Sequence, residues 1–380
     1  MKKTILVVNK YCPLHPKAGG AEKNLLEIFS RIGETNTVIL VSAMFPGAKR
    51  KETYRNIQIE RVGNSNSENI IRIHLLLPLA LNSYLRAIHP DILFEDVSVI
   101  PFFTPILYPK QKKMVMIHGL NGRHFFSSQR FFYACIGYIA ELLFLLVYQK
   151  ESVIVVSEWM KRTLSRHGFK NIHKILNGVD DVFFSIKKEY DSRPSVLFLG
   201  RLEGRKGIDL FLETYPFVKN EIPSVRYIIA GRRFLFGEPL RIKKIIEFSM
   251  KRYSPDEIEF MGYVSEKQKQ KLLSEAWIFT MPSRSEGYGI SALEANATGT
   301  YVVANDTDGL REVVKDGETG MLVNCHNVRV FSKKIISSLQ REKTEASEKK
   351  CRIWASAHSW EKSSKMIEEL CAGQQSADIF

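Results

Sequence analysis

The sequence predicts an α/β protein with two Rossmann-like domains, each a doubly wound parallel sheet, facing a cleft. The chain has 380 residues, which is too long for one ordinary hydrophobic core. Apolar residues make up 44% of it, as in folded soluble proteins. Uninterrupted runs rich in Val and Ile alternate with helix-length segments, a pattern typical of parallel sheets covered on both faces. In such sheets ligands bind at the carboxyl ends of the strands, here in the cleft.

The apolar runs predict strands in both halves of the chain. In order they are Ile5–Val8, Val38–Val41, Ile92–Phe94, Met114–Ile117, Val153–Val156, Ser195–Leu199, Tyr227–Ala230, Trp277–Met281 and Tyr301–Ala304. The polar, turn-prone segment Asp180–Pro194 is the best domain boundary. We therefore expect an amino-terminal domain over residues 1–185 and a carboxy-terminal domain over residues 192–361. The first apolar run ends after Val8, too early for a cleaved signal peptide, so it is predicted to be a buried strand.

Composition excludes several classes of protein. The five cysteines are scattered and show no metal-ligand spacing, so neither a disulfide framework nor a zinc site is indicated. This favours a reducing compartment and a cytoplasmic location. Residues 1–170 carry 23 Lys/Arg and 12 Asp/Glu, whereas the remainder carries 32 and 29. The basic half fits an anionic membrane surface, a phosphate-bearing acceptor or a solubilising surface, and no nucleic-acid motif accompanies it.

Phe131–Val147 is a seventeen-residue apolar segment with one charge, Glu141. Three interpretations remain open: a buried helix of the first domain, a helix on a membrane surface, and a spanning helix. Spanning requires about 20 apolar residues, and a central glutamate disfavours it. A membrane-surface helix would make the protein peripheral on the inner face of the membrane.

The segment Met281–Val314 contains the strongest chemical signal. A strand leads into a loop with Gly287 and Gly289, and a helix is predicted from about Ile290. The glycines let the backbone approach a ligand, and the amino terminus of the helix suits a phosphate. Two glutamates bracket the loop, Glu286 and Glu294. One carboxylate can accept hydrogen bonds from sugar hydroxyls and the other from ribose hydroxyls; dipole stabilisation of the helix is the alternative for Glu294 alone.

A second signal follows the strand Ser195–Leu199. Arg201 and Lys206 lie in the sequence FLGRLEGRKGID, directly after the carboxyl end of that strand. Two cations beside glycine-rich backbone suit a pyrophosphate, and they could stabilise the charge that grows on a departing nucleoside diphosphate. Taken alone, the same string also fits a solvated basic turn.

These motifs occur together with others in a shared order. The further pieces are Gly19-Gly20 in PKAGGAEK, His118 in MIHGL, Ser157-Glu158 in VVSEWMK, Asn177–Asp180, Gly231 in IIAGR, Gly262 in FMGYV and Ser359–Glu361. With the E-x7-E pattern of SEGYGISALE, they resemble the family-4 retaining glycosyltransferases, which have the GT-B fold. The resemblance covers most of the chain. It also implies a carboxy-terminal helix, at about residues 362–380, that crosses back onto the first domain.

The resemblance implies roles for individual residues. The catalytic candidates are Glu286, His118, Arg201 and Lys206. His118 would contact the transferred sugar near its C6 hydroxyl. The donor-binding candidates are Gly19, Gly20, Gly287, Tyr288, Gly289, Ile290, Glu294, Gly262 and Val264. The base pocket is expected near Gly262–Val264 and Arg232-Arg233, where the residue types do not choose among uridine, guanosine and adenosine diphosphates.

One segment departs from the family's pattern. Asp308–Glu312 stands where the family often has Gly-Gly-x-x-Glu, which leaves the donor preference open. The string Asp306-Thr307-Asp308 matches a metal-binding DxD motif, but it follows the strand Tyr301–Ala304 and is interpreted as a loop. We therefore expect neither a metal nor another cofactor.

The sequence as a whole predicts a retaining, metal-independent hexosyltransferase. It would move a sugar from a UDP- or GDP-linked donor to a glycan or lipid-linked acceptor in cell-envelope polysaccharide or glycoconjugate synthesis. Two alternatives are a non-catalytic nucleotide- or glycan-binding subunit and a UDP-sugar hydrolase or epimerase on a similar frame.

Overall fold

The protein forms two compact units, each built on one sheet. The computed structural model describes residues 2–64, 70–98, 100–120, 122, 131–233, 240–324 and 327–373. Unit 1 holds the described residues up to Gly178 and those from Trp360 onward; unit 2 holds Val179–Ser359. The chain thus enters unit 2 ahead of the expected boundary at residue 185. Val179 belongs there because its amide donates to the His358 carbonyl, at 3.1 Å.

Unit 1 contains an eight-stranded sheet in the order β3-β4-β2-β1-β5-β6-β7-β8, parallel except for the β3–β4 pair. Its strands are β1 (Thr4–Val8), β2 (Thr37–Ala43), β3 (Lys51–Tyr54), β4 (Ile57–Val62), β5 (Ile92–Val97), β6 (Lys113–Ile117), β7 (Ser152–Val155) and β8 (Ile172–Lys174). The helices between them are α1 (Gly20–Thr35), α2 (Ile70–Ile88), α3 (Thr104–Leu107), α4 (Phe131–Val147) and α5 (Glu158–Arg166).

Unit 2 contains a six-stranded, all-parallel sheet in the order β11-β10-β9-β12-β13-β14. Its strands are β9 (Ser195–Leu199), β10 (Arg226–Ala230), β11 (Ile258–Gly262), β12 (Ile278–Met281), β13 (Tyr301–Asn305) and β14 (Gly320–Val323). Its helices are α6 (Ile208–Glu221), α7 (Leu240–Arg252), α8 (Glu266–Glu275), α9 (Ile290–Ala297), α10 (Val328–Gln340) and α11 (Glu345–Ser356).

Both sheets reverse their winding direction part-way across, which confirms the doubly wound prediction. The reversal lies between β1 and β5 in unit 1 and between β9 and β12 in unit 2. The central strands are buried on both faces, as their unbroken apolar sequence requires. At a reversal the two neighbouring crossovers leave to opposite faces, so a crevice opens at the carboxyl ends of the strands.

The last helix, α12 (Trp360–Ala372), belongs to unit 1, as the family resemblance implied. It packs on α1. The Ser363 hydroxyl donates to the Leu176 carbonyl at 2.6 Å, and a Glu368 oxygen accepts from the side-chain Nδ2 of Asn36 at 2.7 Å. The helix begins at Trp360, slightly before the expected residue 362, and the Trp360 side chain is buried.

Candidate functional site

The carboxyl edge of the unit 2 sheet brings together most of the predicted donor-binding residues. Adjacent strands β9, β10 and β11 are joined there: the Gly200 amide donates to Ala230 at 3.0 Å, and the Gly231 amide to Gly262 at 2.7 Å. Just beyond them, the Arg232 guanidinium lies 4.1 Å from the centre of the exposed Tyr263 ring. The predicted base pocket therefore has an arginine stacked on an aromatic ring, a pair that the sequence analysis did not identify.

The predicted loop and helix after β12 lie at the same edge. Gly289 adopts a φ of 106° at the amino cap of α9, a conformation that a side chain would strain. A Cβ atom there would also come within 2.7 Å of Leu310. Ile290 is the first residue of α9, and the Tyr288 side chain is buried beside His358. Burial raises the pKa of Tyr288, and the nearby Glu312 raises it further. The Tyr288 side chain thus lies in the interior of unit 2.

Lys206 and Glu286 form a close ion pair at this edge. Lys206 Nζ lies 2.5 Å from Glu286 Oε2, and their side chains are only 16% and 13% exposed. Burial favours the protonated acid, but Lys206 and Arg205 outweigh it, so the pKa of Glu286 lies below its ordinary value. Burial is also the main reason that the pKa of Lys206 is lowered; Glu286 opposes this, and the neighbouring arginines add to it. Glu286 is therefore held as a carboxylate.

The turn after β9 carries three cations, Arg201, Arg205 and Lys206, and the sequence analysis singled out only the first and the last. Arg201 and Arg205 both approach the same oxygen of Glu203, at 3.4 and 3.3 Å. Arg201 is half-exposed. Arg205 could have been identified from the sequence, since it immediately precedes Lys206. Three cations of this turn beside the carboxylates of Glu203 and Glu286 suit a diphosphate bearing a polyhydroxylated group.

Arg284 fastens the Lys206 turn to the Glu286 loop. Its guanidinium donates to both oxygens of Asp209, each at 2.7 Å, and also to the Gly204 carbonyl. The Arg284 amide donates to the Arg205 carbonyl at 2.9 Å. The loops are already close at Gly207, where a Cβ atom would lie 2.0 Å from the Pro282 oxygen. The sequence analysis missed Arg284 and Asp209, because their pairing depends on how the loops fold.

Glu294 lies in α9 and is almost completely buried. Its Oε1 accepts from Lys269 Nζ at 3.0 Å, and Lys269 belongs to the neighbouring helix α8. The sequence analysis assigned Glu294 to the donor but gave Lys269 no role, since 25 positions separate them.

His118 lies in unit 1, at the carboxyl edge of that sheet. Its Nε2 is 2.6 Å from Oδ1 of Asp96, whose other oxygen accepts from Asn9 at 2.9 Å. Burial lowers the pKa of His118, but the carboxylates of Asp96 and Glu22 outweigh it, so the net shift is upward. Asp96 is the penultimate residue of β5 and Asn9 directly follows the neighbouring strand β1, positions from which the sequence could have identified them.

The Gly19-Gly20 segment is next to this group. Gly20 is the first residue of α1, and the Gly19 amide donates to Glu22 Oε2 at 2.7 Å. Burial raises the pKa of Glu22 despite the hydrogen bonds from backbone amides, and the Asp96 charge adds to the rise. The glycine loop is thus tied to a carboxyl group that also faces His118.

The Asp306–Asp308 string lies in the loop after β13. Arg311 pairs with Asp306 and, at 3.1 Å, with Asp308. Within the described ranges, no three His, Cys, Asp or Glu side chains are grouped as metal ligands.

Helix α4 occupies the whole of the predicted apolar segment and has two unlike faces. Ala134, Gly137, Ala140, Glu141 and Phe144 are buried. Large apolar side chains on the rest of the helix are exposed: Phe131, Phe132, Tyr133, Ile139, Leu142, Leu143 and Leu146. Among the helices that the structure describes, none is long and apolar enough to cross a membrane.

Comparison with known families decides where the chain belongs. The sequence profile described as glycosyl transferases group 1 matches residues 180–370, which is half of the chain. The chain belongs to the glycosyl transferases group 1 family. A second profile, glycosyltransferase family 4, matches residues 18–183. Together they confirm the resemblance on which the site was predicted.

One curated relative matches less than half of the glycosyltransferase chain, whereas two solved structures match nearly all of it. A phosphatidyl-myo-inositol mannosyltransferase from Mycobacterium tuberculosis is 33% identical over 179 residues, which are 45% of this chain and 44% of the relative. The chain thus matches less than half the length of that curated relative. Sucrose-phosphate synthase from Thermosynechococcus elongatus has a TM-score of 0.81 at 17% identity, covering 98% of this chain and 99% of that one. Anabaena Alr3699/HepE in complex with UDP-glucose has a TM-score of 0.74 at 16% identity, covering 98% and 100%. These structures confirm the GT-B fold.

Proposed function

We propose that this chain is a retaining glycosyltransferase that moves a hexose from a nucleoside diphosphate to a glycan or lipid-linked acceptor. The observation that carries the proposal is the buried Lys206–Glu286 pair, flanked by Arg201 and Arg205, at the carboxyl edge of the unit 2 sheet. A diphosphate would give Lys206 a second anionic partner. Glu286 could then accept hydrogen bonds from the hydroxyls of the sugar. Binding of UDP-glucose by Alr3699/HepE supports this class of donor.

The proposed reaction is a substitution on one face of the sugar. The bond from the anomeric carbon to the diphosphate oxygen breaks, and a bond from that carbon to the acceptor oxygen forms on the same side. The acceptor proton passes to the departing phosphate oxygen. Arg201 and Lys206 stabilise the charge that grows on the diphosphate, so the step needs no metal. The family resemblance implies that His118, whose imidazole is paired with Asp96, contacts the transferred sugar.

Nucleotide binding tests the donor half of the proposal. The full chain is titrated with UDP, GDP, ADP and their sugar conjugates, with and without EDTA, and unfolding is followed thermally. A ligand at 100 times its Kd adds about 2.7 kcal/mol to the free energy of unfolding. One nucleotide should stabilise the protein regardless of EDTA, and Glu294→Ala should abolish the effect. If no nucleotide stabilises the chain, the donor proposal fails.

Product analysis separates transfer from the alternative functions. With the bound sugar nucleotide and a mixed acceptor extract, NMR of the product should show the anomeric configuration of the donor. Release of free sugar without transfer would indicate a hydrolase. Binding without any turnover would indicate a non-catalytic subunit. A covalent sugar adduct trapped in Glu286→Gln would contradict the one-face substitution.

We further propose that the acceptor is lipid-linked and that α4 rests on an anionic membrane, making the enzyme peripheral. The exposed apolar side chains of α4 in the more basic half of the chain support this. The phosphatidyl-myo-inositol acceptor in the name of the mycobacterial relative is consistent with it.

Liposome sedimentation at low salt tests the membrane proposal with a matched pair of variants. Leu146 on α4 and Leu240 on α7 are each 67% exposed. Leu146→Ser should weaken binding to vesicles containing anionic lipid, whereas Leu240→Ser should not. Equal binding by both variants, or none by the unaltered protein, would contradict the proposal.

A further inference from the structure

Lys269 makes an ion pair that the reaction scheme above does not use. Its Nζ lies 3.0 Å from Glu294 Oε1 and 2.8 Å from Glu266. It also lies 5.2 Å from the centre of the buried Phe183 ring. The Lys269 side chain is 15% exposed and that of Glu294 only 2%. Three contacts from separate segments therefore fix an ordinarily flexible side chain.

The fold places this pair at the donor edge of unit 2. Helices α8 and α9 follow the parallel strands β11 and β12, so both begin at the carboxyl edge of the sheet. A cation near the start of a helix opposes the helix dipole. Lys269 occupies such a position in α8, where Glu266 in the first turn offsets its charge. Lys269 thus opposes the dipole of its own helix but lies between two carboxylates, one of which is expected to bind the donor.

We propose that Lys269 is a positioning residue for nucleotide recognition, which fixes the Glu294 carboxylate so that it accepts hydrogen bonds from the ribose hydroxyls. This inference rests on the proposed function, in which Glu294 binds the ribose. An ionised carboxylate has about four acceptor sites, so it can bond to an ammonium and to hydroxyls at once. Without Lys269, this nearly buried carboxylate would lose an ion pair and the orientation that the pair gives it.

Calorimetric titration of the full chain with a nucleoside diphosphate and with its 2′-deoxy and 3′-deoxy analogues tests this. The nucleotide is whichever of UDP, GDP and ADP the unaltered protein binds. In the unaltered protein, removal of a ribose hydroxyl that Glu294 binds should weaken binding on the order of tenfold or more, because it leaves a charged acceptor without its donor. Lys269→Met should bind the normal nucleotide about tenfold more weakly than the unaltered protein does. In this variant, removal of a ribose hydroxyl should weaken binding only a little further.

Two further variants serve as controls. Lys269→Arg keeps the charge and should retain most of the preference for the normal nucleotide over its deoxy analogues. Lys271→Met removes a 73% exposed lysine of the same helix and should change nothing. If Lys269→Met does not fold, as judged by circular dichroism, Lys269→Gln provides a neutral side chain that can still donate a hydrogen bond.

The possible outcomes are distinct. If Lys269→Met weakens the normal and deoxy nucleotides equally, Lys269 acts on the phosphates or on folding, and the inference is overturned. Unchanged affinities would overturn it as well. If the unaltered protein binds none of the three nucleotides, the proposed function itself fails. Loss of ribose preference with the variant folded supports the inference.

Discussion

Lys206 Nζ and Glu286 Oε2 lie 2.5 Å apart, although 80 positions separate the two residues in the chain. One follows β9 and the other follows β12, which are neighbours at the point where the unit 2 sheet reverses direction. The pair therefore occupies the crevice in which sheets of this type bind ligands.

Breaking this pair should separate its contributions to activity and stability. Lys206→Met is expected to reduce kcat on the order of 10²–10³-fold, since it removes a group placed to stabilise the leaving diphosphate. It should also destabilise unit 2 by about 3–5 kcal/mol, because the buried Glu286 carboxylate loses its ion-pair partner. The double variant Lys206→Met/Glu286→Gln should regain most of the stability and none of the activity. Urea unfolding and a sugar-transfer assay measure the two effects, and a double variant less stable than the single one would contradict this account.

Arg284→Lys should weaken donor binding although it keeps the charge. Lysine cannot reproduce the two parallel hydrogen bonds to Asp209, so the Lys206 turn would no longer be fixed to the Glu286 loop. We expect about a tenfold higher KM for the donor, with a smaller change in melting temperature. Arg193, whose side chain is 36% exposed beside Asp256, provides the control, because Arg284 is 34% exposed. An equal effect of Arg193→Lys would rule out a specific role for the Arg284–Asp209 pair.

The His118–Asp96 pair predicts a dependence of unit 1 stability on pH. The pKa of His118 is raised in the folded chain, from an ordinary value of about 6.5. Its contribution to stability should be fully present below about pH 6.5 and lost as the pH rises through the raised pKa. NMR titration of the imidazole should show that Asp96→Asn lowers this pKa more than Glu22→Gln does. A titration unaltered by Asp96→Asn would exclude Asp96 as the cause.

Tyr148 should contribute to the stability of unit 1 through a buried carboxyl group. Its hydroxyl lies 2.9 and 3.0 Å from the two oxygens of Glu95, which also accept from the Phe102 amide at 2.6 Å and from Thr104. Tyr148→Phe is expected to lower the free energy of unfolding by about 1–3 kcal/mol, the cost of leaving a buried acceptor without its hydrogen-bond donor. Urea denaturation measures it, with the exposed Tyr54→Phe as control. Equal stability of the two variants would contradict the expectation.

Strand prediction succeeded where the sequence was apolar without interruption. All nine predicted runs coincide with strands, with only Val156 and Trp277 falling one residue outside, because strands covered on both faces need apolar side chains throughout. Five strands, β3, β4, β8, β11 and β14, were not among these runs, and all of them except β4 lie at an edge of their sheet. Edge strands are partly solvated, so their sequences are short or mixed and resemble loops.

For α4, the sequence determined the extent of the helix, and the three-dimensional packing determined its surroundings. The buried face of a helix can be predicted from sequence only when polar side chains recur with the 3.6-residue period on the opposite face, and this segment has almost none. Only the packed structure shows that Ala134 and Phe144 face inward while Leu142 and Leu146 do not.

The sequence by itself determined the fold class, the order of the elements and the loops that carry Arg201, Lys206, Glu286 and Glu294. These follow from local patterns of apolar runs, glycines and charges. Tertiary structure alone decided the pairings of Lys206 with Glu286, Lys269 with Glu294, and Asp96 with His118. Those partners come from elements far apart in the chain. They meet because parallel strands bring their carboxyl ends to one edge, an arrangement set by strand order and not by any local run of residues.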